Sequence, residues 1–131
     1  MFVDASAFVA VLASEDEADS LLARLQQAEI CYTSPMAIWE TSLALGRQRR
    51  MAPMDALALV TDFLRLLAVK VEPVDRNTTE LAVMAHQRFG KGRHPASLNF
   101  GDCFAYACAR QLGLPLLYKG DDFSRTDIEA A

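Results

Sequence analysis

Met1-Phe2-Val3-Asp4-Ala5-Ser6-Ala7 opens the chain with an apolar run that stops on a carboxylate. Met1 to Val3 reads as a short buried strand ending at Asp4, because a continuous apolar run suits a strand covered on both faces. Ser6 to Ala13 stays apolar with helical potential, so strand gives way to helix around one aspartate. Glu15 to Ala28 then sets Ala18, Leu21, Leu22 and Leu25 at helical spacing, with charges on the opposite face. Ile30 to Thr33 is a second short strand.

The same alternation continues outward. Ser34-Pro35 marks a helix start, with serine as N-cap and proline at the first helical position. That helix runs to about Arg49 and ends in Arg47, Arg49 and Arg50, which suit a helix C-terminus. Pro53 to Leu67 is the next helix, and Val69, Val71 and Val74 suggest a third strand. Asn77-Thr-Thr-Glu80 is expected to cap a helix reaching about Arg88. Phe89 to Asn99, with two glycines, a proline and three basic residues, reads as a loop. Gly101 to Leu112 is helical and closes on Gly113, and Leu114 to Tyr118 is a fourth strand before the polar turn Lys119 to Arg125. Strands alternating with helices predict a single α/β domain over residues 1–131, with a short, mostly parallel sheet flanked by helices on both faces.

The 131 residues are 52% apolar, enough for a core and against disorder. No apolar run approaches the ~20 residues of a membrane span. The apolar opening has no basic stretch before it, and Asp4 interrupts it, which together predict a cytoplasmic protein without a signal peptide. Cys31, Cys103 and Cys108 match no metal or redox spacing and are expected to be inert core thiols. A net charge of −4 counts against a broadly basic nucleic-acid surface, yet acidic metal ligands inflate that count. The helices from Ser34 to Leu67 carry more apolar residues than one face needs, including Leu45, Met51, Met54 and Leu57, and that surplus predicts a homodimer.

Ligands in open α/β sheets collect outside the carboxyl ends of the strands. Asp4 and Asp122 each follow a strand, and Asp102 falls in the first turn of a helix at the same edge. Glu40 lies mid-helix between Met36, Trp39 and Leu43, with no lysine or arginine within one turn and Arg47 two turns away. A carboxylate beside an apolar stripe is costly unless something pairs with it. Acids brought together must take up protons or bind cations, and oxygen-only ligation suits Mg2+ or Mn2+ rather than zinc. Such ions activate water and stabilise the leaving oxygen of a phosphodiester. Each acid also has a plainer role open to it: Asp4, Asp102 or Asp122 as a cap or helix-dipole partner, and Glu40 in a structural pairing.

Three stretches carry a family resemblance: Met1 to Ala7; Gly90-Lys-Gly-Arg-His-Pro-Ala-Ser-Leu-Asn-Phe-Gly-Asp-Cys-Phe-Ala-Tyr106; and Leu116-Leu-Tyr-Lys-Gly-Asp-Asp-Phe-Ser-Arg-Thr-Asp-Ile128. With Glu40 in its Trp-Glu-Thr setting, they resemble the VapC toxins of VapBC toxin–antitoxin modules, which are PIN domains. The likeness spans essentially the whole chain. It implies a metal-dependent endoribonuclease whose acidic quartet is Asp4, Glu40, Asp102 and Asp122. Asp4 and Asp102 would be direct ligands of Mg2+ or Mn2+, with Glu40 and Asp122 completing the site. Ser6 resembles a hydroxyl residue supporting the first aspartate, and Asn99 a polar residue at the rim. The family further implies an RNA substrate, a cognate VapB-like antitoxin whose tail fills the groove, a homodimer, and operator DNA bound only through the antitoxin.

Asp121 and Asp122 are adjacent, and the resemblance favours the acid directly before Phe123. Lys91, Arg93 and His94 are candidates for gripping RNA phosphates. Two other readings compete. A haloacid-dehalogenase-like phosphatase would need a second aspartate where Ser6 stands. A non-catalytic receiver-like module would need a phosphoryl-accepting aspartate near mid-chain, for which Asp75 is the available residue.

Overall fold

The computed structural model describes residues Met1 to Ala131. Its centre is a four-stranded sheet of two-residue strands: β1 (Phe2–Val3), β2 (Tyr32–Thr33), β3 (Lys70–Val71) and β4 (Leu116–Leu117). They lie in the order β3-β2-β1-β4, every neighbouring pair parallel. Six helices connect and cover them: α1 (Ala5–Leu12), α2 (Ala18–Gln27), α3 (Pro35–Arg49), α4 (Pro53–Leu66), α5 (Arg76–Phe89) and α6 (Phe100–Leu112). The α/β reading with helices on both faces is therefore correct, and the sheet is parallel throughout.

Adjacent side chains on a strand point to opposite faces, and β1 uses this to divide the core. Phe2, paired in register with Leu116, packs into one cluster with Ala82, Ala85 and Phe89 of α5 and Cys103 and Tyr106 of α6. Val3, in register with Leu117, packs into a second cluster with Phe8 of α1, Leu21 and Leu25 of α2, Leu45 of α3 and Val60 of α4. Phe2, Val3, Leu116 and Leu117 are all fully buried or nearly so. Each such side chain contributes roughly 1.5–3 kcal/mol. The three cysteines are free and buried, as their apolar settings predict.

Helix ends follow local chemistry, with two corrections. Ser34 caps α3 through a hydrogen bond from Ala37 N, and Pro35 starts it. The cap of α5 is Asp75 rather than Asn77. Its Oδ1 accepts from Thr78 N at 2.8 Å, and Thr78 Oγ1 in turn accepts from Asp75 N, so a threonine completes the capping box. The third strand shrinks to Lys70–Val71 because only that pair aligns with β2. Helix α6 starts at Phe100, capped by Asn99. It ends on Gly113, whose φ of 64° lies where a side chain would be strained.

The apolar surplus of α3 and α4 also divides differently. Leu45 is core, at 1% exposure, and Met51 and Leu57 are half-buried. The solvent-facing apolar residues of α4 are Met54, Leu59 and Leu66. No helix is long and apolar enough to cross a membrane.

Because the Asp75 carboxylate accepts the cap bonds, its pKa lies below the ordinary value. A depressed folded pKa adds stability above the ordinary carboxylate range that is lost as acid protonates the cap. Asp75→Ala should lower Tm near neutral pH and lower it less in acid, with Asn77→Ala leaving Tm unchanged. Thermal melts followed by circular dichroism check both.

Candidate active site

Strand β1 connects onward to β2 and β3 on one side, while β4 returns on its other side. The carboxyl ends of β1 and β4 thus form the point where strand order reverses, the usual crevice of an open α/β sheet. Asp4 leaves β1 there, and Lys119 follows β4. A pocket at this edge is lined by Asp4, Glu40 and Asp102, with Asn99, Arg47 and Lys119 at its sides.

Asp4 is N-cap to α1 and only 4% exposed. Its Oδ2 accepts from Ser6 N at 2.9 Å and from Ser6 Oγ at 2.5 Å. Ser6 Oγ in turn accepts from Lys119 N at 3.0 Å, which ties the aspartate to the end of β4. Burial raises the Asp4 pKa, the Ser6 bonds oppose that, and the charge of Asp122 adds to it.

Asp102 stands at the third position of α6. Its Oδ2 accepts from Asn99 N at 2.8 Å, while Asn99 Oδ1 accepts from Asp102 N at 3.0 Å. This reciprocal box makes Asn99 the residue that aims Asp102. Burial, with the charges of Asp4 and Asp122, pushes the Asp102 pKa up to about 6 against the Asn99 hydrogen bond.

Glu40 comes across from the middle of α3, half-buried, and its carboxylate lies directly over Gly101. A Cβ at Gly101 would collide with both carboxylate oxygens. Burial first, then the charges of Asp4 and Asp102, push the Glu40 pKa up to about 7. The plain roles and the acidic cluster therefore coexist: Asp4 caps α1, Asp102 completes the capping box of α6, and the charge of Asp4 reaches Asp102 across the pocket.

Asp122 is exposed and sits just before a 3-10 turn at Phe123–Arg125, with Phe123 buried beneath it. It does not line the pocket, but its charge reaches Asp4 and Asp102, and the push comes from Asp122 rather than Asp121. Side-chain positions as they stand do not bring three His, Cys, Asp or Glu groups together in a metal-coordinating arrangement. Asp4 is turned to Ser6 and Asp102 to Asn99. The donor chemistry nevertheless fits a hard cation. All these donors are oxygens, and of the four carboxylates lining the pocket only Glu15 is paired with a lysine, while burial and mutual repulsion raise the pKa values of Asp4, Glu40 and Asp102.

Sequence spacing missed two rim residues. Lys119 Nζ pairs with Glu15 Oε2 at 2.6 Å, which draws the lysine toward the α1–α2 connection. Arg47, two turns from Glu40 in sequence, lines the same pocket. Arg47 was legible, since residues seven apart return to one helical face; the Lys119–Glu15 pair joins distant segments and had no local signal. Of the loop residues, Lys91 and Arg93 are exposed, but His94 is turned inward. Its Nδ1 accepts from Ala96 N, and its ring meets Phe89 edge-on at 5.3 Å. Ser6, where a phosphatase of the haloacid-dehalogenase kind needs an acid, instead anchors Asp4; Asp75, the receiver-like candidate, instead caps α5.

Carboxylates with raised folded pKa values bind protons more tightly folded than unfolded. Their contribution is full below the ordinary carboxylate range and lost as pH rises through the shifted values. The metal-free protein should therefore lose stability between pH 4.5 and about 7, the window of the Glu40 shift. Glu40→Gln should flatten that profile and raise Tm in mildly alkaline solution, as read by thermal melts across pH.

The family model described as PIN domain matches residues 1–129. A VapC ribonuclease of Rhizobium meliloti is 41% identical, covering 97% of this chain and 98% of its own. The ribonuclease VapC of Mycolicibacterium smegmatis is 36% identical over 99% and 98%. In three dimensions the chain superposes on the crystal structure of Mycobacterium tuberculosis VapC20, a sarcin-ricin loop cleaving toxin. The TM-score is 0.77, at 20% identity, over 99% of this chain and 97% of that one, which speaks to the fold. With that fold and an acidic pocket at its switch point, the chain belongs to the VapC ribonucleases of the PIN-domain family.

Proposed function

We propose that the protein is an Mg2+- or Mn2+-dependent endoribonuclease toxin, neutralised by a cognate VapB-like antitoxin. One observation carries the chemistry: Asp4, Glu40 and Asp102 share one pocket, and Asp122 acts on two of them from outside it. No lysine or arginine is ion-paired to any of the four. Asp4 and Asp102 would hold the cation directly, with Glu40 and Asp122 completing its surroundings. When bound there, a divalent cation supplies charge to the phosphodiester oxygens and lowers the pKa of water near the scissile bond.

The chain's own groups prepare that site. Ser6 fixes the orientation of Asp4, and Asn99 does the same for Asp102. Gly101 leaves the space in which Glu40 lies. The turn held by buried Phe123 keeps Asp122 near the mouth. RNA phosphates would meet Lys91 and Arg93 on the adjoining loop, while His94 holds that loop together. The reading extends to a homodimer in the cytoplasm that meets operator DNA only through the antitoxin, consistent with a net charge of −4. The family relatives named VapC ribonuclease support the RNA substrate and the antitoxin.

Purified protein should cleave RNA with Mg2+ or Mn2+ and stop on chelation, and Asp4→Asn should abolish cleavage while the fold persists. Asp122→Asn should slow cleavage at least ~10-fold, about 1.4 kcal/mol in the barrier, with Asp121→Asn within a few-fold of wild type. Undiminished cleavage by Asp4→Asn under chelation would sink the mechanism. Gly101→Ala keeps every acid yet displaces Glu40, and should also lose about tenfold or more in kcat. Single-turnover kinetics on the folded variants read both effects.

A further inference from the structure

Lys119 leaves β4 at the edge where the acids gather, and its backbone N donates to Ser6 Oγ, the hydroxyl that itself donates to Asp4. Its side chain thus starts one hydrogen-bonded residue away from the most buried acid, and it lines the same pocket as Asp4, Glu40 and Asp102. A compact positive charge on a flexible four-carbon stem is well suited to pair with those carboxylates. It pairs elsewhere. Nζ lies 2.6 Å from Glu15 Oε2, with the more exposed Glu17 Oε2 farther off at 3.8 Å.

Glu15 is itself fixed from two directions. Its backbone N donates to Ala10 O at 2.9 Å, and its Oε1 accepts from Gln48 Nε2 of α3 at 3.2 Å. Arg49 Nη2, also from α3, donates to Leu12 O at 2.7 Å and holds the connection between α1 and α2 at a second point. The Glu15 and Lys119 side chains are only 28% and 33% exposed, so water and salt screen this pair less than a surface one.

After burial, the charges acting on Asp4, Glu40 and Asp102 are those of other carboxylates, and Lys119 is not among them. Arg47, the pocket's other cation, is exposed and two turns along α3 from Glu40. An ammonium moved onto the acids would neutralise them as a bound cation does, and the two would compete for one place.

We infer that Glu15 is a positioning residue that holds the Lys119 ammonium off Asp4, Glu40 and Asp102 and so keeps those acids open to a divalent cation. This rests on the metal reading of the pocket and gives a role to an acid outside the quartet.

Glu15→Gln keeps the size of the side chain and removes the charge that holds Lys119. In crystals of this variant grown without metal, Lys119 Nζ should lie within hydrogen-bonding distance of Asp4, Glu40 or Asp102. By calorimetry, Glu15→Gln should bind Mn2+ about tenfold or more weakly than wild type. Adding Lys119→Met should restore most of that affinity, whereas Lys119→Met alone should leave Mn2+ binding close to wild type. Unequal effects of one substitution in the two backgrounds are the signature of coupled residues.

Lys119 still outside the pocket in the Glu15→Gln crystals overturns the inference. So does an equal effect of Lys119→Met in both backgrounds, which would mean that its charge acts on Mn2+ only at long range. A wild-type protein that binds no Mn2+ would instead overturn the metal reading, and the metal-free crystals test the hold of Glu15 on Lys119 independently of it.

Discussion

Asp4 holds a carboxylate almost wholly out of water at the end of the central strand, a placement costly unless its oxygens are satisfied. Two hydrogen bonds from Ser6 offset that cost, and the Ser6 hydroxyl is itself tied to the backbone at Lys119. A single serine thus joins the start of α1 to the end of β4 and sets where the carboxylate points. Glu40 and Asp102 then face a charge that cannot move away. Their raised pKa values follow first from burial and then from neighbouring carboxylates, Asp4 acting on both, and relief requires protons or a cation.

Capping and site-building are one device here. A helix start offers unpaired backbone N–H groups, and an acid placed there gains hydrogen bonds and a fixed direction together. Asp4 at α1 and Asp102 at α6 both use it, so the cluster is positioned by rigid helix ends rather than by loops. Glu40 lacks a cap and is located instead by packing, its carboxylate against a glycine that presents no side chain. A methyl group at Gly101 would push the Glu40 carboxylate out of that position.

The chain's acidity and an RNA substrate are compatible because charge is distributed locally. Lys119 is neutralised by Glu15, whereas Arg47 lines the carboxylate pocket and is in no ion pair.

Local rules made much of this legible in the sequence. Apolar runs ending on Asp4 and before Lys119 mark buried parallel strands, because a strand covered on both faces must be apolar throughout. Ser34-Pro35 and Gly113 mark helix ends, since capping and left-handed backbone are settled within a few residues. The same rules misplaced the α5 cap, because Asp75 and Thr78 bond reciprocally and the preferred Glu at that position is not required. Only tertiary structure decided that Leu45 is core, that Glu40 rests on Gly101, and that Lys119 pairs with Glu15 rather than an aspartate of the site. Those contacts join segments distant in sequence, and they depend on how helices cross and strands order, which no local spacing encodes.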